Sequence, residues 1–388
     1  MRLLFVTERF PPAIGGVAAS ASRIAHSIAA LGHTVDVFHL TRDLPSGAVD
    51  SRPVEPRRSG TETSSGVTVH RMGTARHSDF TLQQALLFLE WKQRREPWDA
   101  IWAHYVAQSG FLATWFGRQE QIPVILSVRG NDLDRQLFPP GDFARLIWCL
   151  EQSQQIVTVS HDLARKVAVL TNRSAVVLPN SVHLDLFSPR PKDPALITRY
   201  AIQPSEFVVG FSGELRAKKG LSFLLPAFQE LTQRQPARLL IIGAVRPGDR
   251  GEFQRHIASD SVGSTVIVTW HLSEPARVAD HLRLADALVV PSLWDGMPNS
   301  VLESMAAGVP VIGSDAGAIP ELIEHHVTGI LVPRSHLHRL ADVIAEFAQL
   351  PSEQKTAITS AARQRVTQYH SPAAELQRLA EILAQLRS

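Results

Sequence analysis

The stretch with the clearest chemistry is residues 290–310, VPSLWDGMPNSVLESMAAGVP. It reads as the end of a buried strand, a polar loop and a short helix that stops at Gly308 with Pro310 behind it. Asn299 and Ser300 sit where a helix N-cap belongs, so the run from Met297 through Pro298 to Val301 should bring several unpaired backbone N–H groups to one point. That is an anion site, most naturally for a phosphate. Two carboxylates bracket it, Asp295 in the loop and Glu303 in the helix's early turns. Placed on either side of a phosphate, they could reach hydroxyls at both ends of a ligand, the layout of a nucleotide-sugar. A capped surface helix whose acids merely favour its N-terminus is the plain alternative.

The same stretch resembles the E-x7-E region of the retaining glycosyltransferases of family 4, with Asp295 where the first Glu usually stands. The similarity continues through ADALVVPS before it and GSDAGAIPELIEHHVTGILVP after it. In that family the second acid contacts the nucleotide ribose and the first lies near the donor sugar, which the resemblance assigns to Glu303 and Asp295. The segment GELRAKKG resembles the family's G-R-x-x-x-x-K-G loop, whose cations grip the donor diphosphate. Lys219 matches, Glu214 occupies the Arg position, and Arg216 two residues on can supply that charge. The loop VTWHLSEP, with Trp270 and His271, falls where the family seats the nucleotide base. SVRGND resembles a segment in which a His, commonly acting at the acceptor, is replaced here by Arg129. An arginine stays protonated, so Arg129 would bind an acceptor carboxylate or phosphate or the leaving diphosphate, not serve as a base.

The elements that must position these groups follow from the patterning. Leu3–Thr7, a loop with Gly15 and Gly16, an Ala-rich helix to Leu31 and a strand Val35–His39 open a doubly wound α/β domain. The glycine pair suits close approach of a phosphate or sugar at a helix start. It lacks the G-x-G-x-x-G fingerprint, so no nicotinamide cofactor is indicated. Strands recur at Ala100–His104, Val124–Ser127, Ile156–Ser160 and Ala175–Leu178. Functional groups gather at the carboxyl ends of such strands, which selects His104, the nearest substitute for the missing base, with Arg129, Asn131 and Asp132 as acceptor contacts. Asp132-x-Asp134 imitates a metal-binding D-x-D on two residues only. The pairs His325-His326 and His336-x-His338 have no third ligand at useful spacing, and no metal is expected.

VVLPNSVHLDLFSPRPKDP resembles the family's interdomain passage, placing an acceptor domain at 1–188 and a nucleotide-sugar domain at 189–370. A helix over 371–388, with Leu376, Leu379, Ile382 and Leu383 on one face, resembles the family's tail that packs back toward the first domain. Strands Phe207–Ser212, Leu239–Ile242, Val266–Thr269, Ala287–Val290 and Val309–Ile312 build the second sheet. The resemblance implies a GT-B fold, two facing Rossmann-like domains with an interdomain cleft. Residues 41–66, rich in Ser, Pro, Gly and Arg (Arg52, Arg57, Arg58), read as a long mobile loop. WKQRREPW, at the end of a helix from Thr81 to Arg95, reads first as core tryptophans beside a cationic helix end, with a membrane-surface segment as the alternative that its aromatic and basic mixture offers.

Composition sets the outer bounds. The 388 residues carry a net charge of +2, which makes no case for nucleic acid, and 44% are apolar, ordinary for a globular chain. The single Cys149 argues for a reducing compartment and a packed thiol. No stretch approaches the ~20 apolar residues that span a bilayer, so a cytoplasmic protein is expected, with peripheral membrane attachment left open. The resemblance implies a metal-independent, cofactor-free retaining hexosyltransferase. It would take a nucleoside-diphosphate sugar as donor and a saccharide or lipid-linked acceptor, in polysaccharide, lipopolysaccharide or glycolipid synthesis. A non-catalytic nucleotide-sugar or polysaccharide-binding subunit and a nucleotide-sugar epimerase are the alternatives. Donor base, acceptor and oligomeric state are not legible.

Overall fold

The computed structural model of the chain describes residues 1–54, 66–258 and 263–386. They form two compact units, 1–180 with 375–388, and 181–374. The first holds strands β1 (Arg2–Thr7), β2 (Thr34–Ser46), β3 (Val49–Pro53), β4 (Val67–Gly73), β5 (Ala100–His104), β6 (Val124–Val128), β7 (Gln155–Thr158) and β8 (Val176–Val177). Their order is β3-β4-β2-β1-β5-β6-β7-β8, parallel except where β3 runs against β4. Alternate residues Leu3 and Phe5 join Ile24 and Ile28 of helix Gly16–Ala30 and Leu379, Ile382 and Leu383 of helix Pro372–Ala384 in one core. Leu4 and Val6 point the other way along the pleat. That face is covered by helices Ser78–Gln93, Gln108–Glu120 and Pro140–Gln152, with Leu89, Leu112, Phe116 and Leu146 buried. Cys149 lies in this layer, and burial pushes its thiol up to about 12.

Residues 41–66 are not one loop. β2 continues to Ser46, and β3 returns along β4, pairing Val49 with Met72 and Pro53 with Thr68. Asp50 is half-buried and Ser51 and Arg52 are exposed, so main-chain pairing at a sheet edge holds β3 without an apolar alternation to announce it. Gly73 is obligatory at this turn, because a Cβ there would stand 1.9 Å from the Pro45 carbonyl oxygen. Arg57 and Arg58 lie outside the described residues.

The second unit holds β9 (Phe207–Ser212), β10 (Ala237–Ile242), β11 (Val266–Val268), β12 (Ala287–Val290), β13 (Val311–Ser314) and β14 (Ile330–Val332), all parallel in the order β11-β10-β9-β12-β13-β14. Val209, Phe211, Leu239, Ile241 and Val289 pack with Leu224, Phe228, Ile344 and Phe347. This unit begins earlier than position 189. Val182 N–H donates to the His370 carbonyl at 2.9 Å, and buried Arg283 donates to the carbonyls of Leu186 and Ser188 at 2.8 Å each, drawing 181–188 into it. Residues 371–374 also belong to it, whereas Glu375 onward belongs to the first unit. Among the described residues no helix is long and apolar enough to cross a membrane.

Candidate functional site

In an open parallel sheet the crevice forms where strand order reverses, here between β9 and β12. Two loops leave their carboxyl ends. The first runs from Gly213 through the turn Ala217–Lys219 to Gly220, and the second from Pro291 to helix Asn299–Ala307. They are pressed together: Leu293 N–H donates to the Lys218 carbonyl at 2.9 Å, and a Cβ on Gly220, whose φ is +81°, would lie 2.0 Å from the Pro291 oxygen. A third loop, after β13, braces the second, with Ala318 N–H donating to the Gly296 carbonyl at 3.2 Å.

This packing delivers Lys219 to Asp295, and the ammonium and carboxylate form a close ion pair. Burial disfavours the Asp295 charge, but Lys219 outweighs it and holds the carboxyl below its usual range. Arg216 lies 3.4 Å from Glu214, so the acid in the family's Arg position is answered by its neighbour. Three polar atoms on these loops are buried with no hydrogen-bond partner among the described residues: Arg216 Nε, Ser292 Oγ and Asn299 Oδ1. Orphaned buried polar atoms are rare in folded chains, and three on converging loops are what a polar ligand would satisfy.

The helix start differs from expectation. Pro298, extended at φ −72° and ψ 119°, is the N-cap, and Asn299 is already helical, with no side-chain cap bond. Proline presets the φ the entry needs, so the first N–H groups are left uncapped and Asn299 Oδ1 is left over. Met297 and Pro298 are buried, while Asn299, Ser300 and Glu303 are half-buried along the first turns. His271 is exposed just beyond β11, two strands from β9 in the sheet. Beside it Trp270, 57% exposed at φ +59°, has the Arg250 guanidinium 5.8 Å from its ring centroid.

In the first unit Gly15, at φ +127° with open space around it, caps helix Gly16–Ala30 without any side-chain bond. The other predicted residues there are enclosed, with His104 Nδ1 left without a hydrogen-bond partner among the described residues. His104 is fully buried, bonded at 3.0 Å through Nε2 to Ser20 Oγ and stacked on Phe5. Burial, then Arg129 and Arg23, hold its imidazole well below the ordinary histidine value, so it is a neutral core residue and not an exposed base. Arg129 is also buried: it donates to Asn180 Oδ1 at 2.5 Å and to the Leu178 carbonyl at 3.2 Å, and burial lowers its pKa to about 10. The anionic-acceptor role assigned to it therefore has no reachable guanidinium. Asp132, 1% exposed, accepts from the N–H groups of Gly130 at 2.7 Å and Val106 at 3.1 Å and from Arg129 N–H. It braces the loop after β6, and burial pushes its carboxyl up to about 6. Asn131 opens helix Asn131–Gln136, and its side chain lies outside the described structure. Asp134 pairs with Lys166 at 2.9 Å. The pairs His325-His326 and His336-x-His338 are exposed, and no group of His, Cys, Asp or Glu among the described residues could hold a metal ion.

Residues not anticipated stand just past the ends of β1 and β5 and within β2. The Glu8 carboxylate caps helix Gln108–Glu120 through Gln108 N–H at 2.7 Å, and burial raises its pKa. Tyr105 sits at φ +88°, with its phenol raised by burial and then by Asp132 and Glu8. The strand-end rule that selected His104 also covers these positions. Burial, then Arg71, push His39 down to about 4. The folded chain therefore binds fewer protons at His39 than the unfolded chain between pH 6.5 and 4. Stability from this group is present above pH 6.5 and falls by about 1.4 kcal/mol per pH unit through that window. Asp132, raised, acts in the opposite sense below about pH 6. Urea titrations should thus show the His39→Gln variant gaining about 2 kcal/mol on the parent between pH 6.5 and 5. A pH-independent difference would mean that His39 titrates normally.

The family profile "Glycosyl transferases group 1" matches residues 193–365, and "Glycosyl transferase 4-like domain" matches residues 15–181. The chain belongs to the group 1 glycosyltransferases. An uncharacterised glycosyltransferase of Methanocaldococcus jannaschii is 25% identical to this glycosyltransferase over 350 residues, 86% of this chain and 85% of that one. The N-acetyl-alpha-D-glucosaminyl L-malate synthase of Bacillus anthracis is 25% identical over 328 residues, 82% and 81% of the two chains. Among solved structures, Anabaena HepE in complex with UDP superimposes with a TM-score of 0.79 at 18% identity, covering 99% of this chain and 100% of that one. The two doubly wound sheets are those of the GT-B fold.

Proposed function

We propose that this glycosyltransferase moves a sugar from a nucleoside-diphosphate sugar held at the β9/β12 switch point to an acceptor hydroxyl, with retention of anomeric configuration. The observation that carries this reading is the gathering of Lys219, Asp295, the uncapped helix start at Asn299 and three unsatisfied buried polar atoms on two converging loops. The diphosphate would take Lys219 from Asp295 and lie against the helix start, with Arg216 completing the charge. Asp295, released, would face the sugar, and Glu303 the ribose hydroxyls. In the transfer the anomeric C–O bond to the diphosphate breaks with its electrons on the leaving oxygen. The acceptor oxygen then bonds to the same face and its proton passes to the diphosphate. His104, neutral and enclosed, is no rival for that proton.

Two fixed cations and a helix start can serve the leaving group without a metal or cofactor. The acceptor is a saccharide or lipid-linked saccharide in polysaccharide, lipopolysaccharide or glycolipid assembly in the cytoplasm. Attachment to the inner face of a membrane goes with the lipid-linked case. A thermal-shift screen with UDP, GDP, ADP and their sugars, with and without EDTA, tests the donor site. One nucleotide should stabilise the protein selectively and regardless of EDTA, by about 2.7 kcal/mol at one hundred times its Kd. Glu303→Ala should then raise the donor KM at least about tenfold, a loss of roughly 1.4 kcal/mol of binding. Unchanged donor use in that variant would remove Glu303 from the site.

A further inference from the structure

At the N-terminal ends of the second unit's strands lies a cavity of about 710 Å³. It is bounded by Glu206 just before β9, Gln235 before β10, Asp286 before β12 and Pro310 before β13. The segment 189–192 and helix Ser352–Tyr369, through Lys355, Thr356 and Thr359, close it further. The loops proposed to hold the donor leave the carboxyl ends of β9 and β12, so this cavity stands at the opposite end of the same two strands. Its volume is in the range of small-molecule sites.

The polar groups around it are unequally used. Glu206 accepts from Arg238 at 2.7 and 2.9 Å, and Asp286 accepts from Lys192 at 2.5 Å and from Val208 N–H at 2.8 Å. Both carboxylates are therefore answered within the chain. The donors are left over. Gln235 Nε2 is buried with no hydrogen-bond partner among the described residues. Lys355 gives one N–H to the Ala348 carbonyl at 2.7 Å and has two more to give. Arg190 is exposed, and its one hydrogen bond among the described residues is a long contact of 3.4 Å to the Asp185 carbonyl. It also stands near a like charge: burial lowers the pKa of Arg283, and Arg190 adds to the fall against the pull of Asp280. Arg190, Lys192, Arg283 and Lys355 line the cavity against Glu206 and Asp286, a surplus of two positive charges. The outer partners Arg238 and Asp280 cancel each other and leave that surplus unchanged.

We propose that this cavity is a binding site for a phosphorylated polyol. A phosphate monoester carries close to two negative charges and three strong acceptor oxygens, which match the surplus charge and the unused donors. The remaining lining suits hydroxyls. Thr356 and Thr359 spend their protons on the Ser352 and Thr356 carbonyls at 2.8 and 3.1 Å, so their oxygens are left to accept from a ligand, and Ser205 adds a third hydroxyl. The C-terminal end of helix Asn299–Ala307 also borders the cavity, and its negative end would repel a phosphate. Arg363 answers that end by donating to the Ala306 carbonyl. The assignment does not depend on the transfer reaction proposed above.

The test is isothermal titration calorimetry of the full chain with sorbitol 6-phosphate, and with inorganic phosphate, sorbitol and succinate as partial probes. Sorbitol 6-phosphate should bind with a Kd below about 1 mM, at least about tenfold tighter than any of the three partial probes. Arg190→Gln and Lys355→Gln should each raise that Kd at least about tenfold, the cost of one charge-assisted bond. Arg190 is exposed, so its variant keeps the fold, and circular dichroism checks both. Lys219→Met should leave the Kd within about twofold of the parent. Loss of binding in that variant would give the ligand to the donor loops and overturn the proposal. So would the absence of binding up to about 10 mM, or a Kd indifferent to both Arg190→Gln and Lys355→Gln. Inorganic phosphate binding as tightly as the ester would overturn the polyol assignment, and succinate binding as tightly would overturn the phosphate.

Discussion

Lys219→Met should lower kcat for sugar transfer by about 10²- to 10³-fold, the usual cost of losing one preorganised group that stabilises charge developing on a leaving oxygen. Methionine keeps an unbranched side chain of similar length, so the loss is one of charge and not of packing. The measurement is single-turnover transfer with the donor that the thermal screen selects, and a kcat within threefold of the parent would reject the clamp. The same substitution has a second signature. In the parent, Asp295 is held below its ordinary pKa by Lys219, so its contribution to stability is present above the unfolded value and is lost as pH falls through the folded one. Without Lys219 burial is opposed only by Lys218 and the Gly296 N–H, so the Asp295 pKa rises and the stability it contributes above the unfolded value shrinks. Denaturant midpoints across pH separate this effect from the loss of turnover.

Glu375→Ala should cost about 3–5 kcal/mol of first-unit stability, the range for breaking a buried ion pair from one side. Glu375 is 3% exposed and accepts from Arg23 Nε at 2.8 and 3.1 Å. Arg23 in turn shares Asn180 Oδ1 with Arg129, at 3.0 and 2.5 Å. Removing the carboxylate leaves the half-buried Arg23 and the buried Arg129 guanidiniums sharing one neutral amide. Urea unfolding should show the loss, and Arg23→Met combined with Glu375→Leu should recover most of it, because neither charge is then stranded. A loss under about 1 kcal/mol would mean that the pair is solvated and that helix Pro372–Ala384 is held by Leu379, Ile382 and Leu383 alone.

What the sequence by itself determined is whatever depends on local pattern. Short apolar runs marked β5, β9 and β12 at their observed ends, because strands buried on both faces must be apolar throughout. Gly308 ended its helix at φ +75°, a conformation glycine adopts at no steric cost. The runs around Lys219, Asp295 and Glu303 singled those residues out as candidates, and their donor roles belong to the proposal. The tertiary structure decided everything that turns on which side of a backbone faces solvent. His104, Arg129 and Asp132 stand at strand ends where reactive groups gather, yet burial and the bonds to Ser20, Asn180 and the loop N–H groups consume them, and no spacing announces such partners. β3 escaped notice because an edge strand is held by main-chain bonds that any side chains permit. The ion pair of Lys219 with Asp295, 76 residues apart in the chain, exists because Gly220 lets two loops touch at the reversal of strand order, and contact across that distance is a property of the packed sheet.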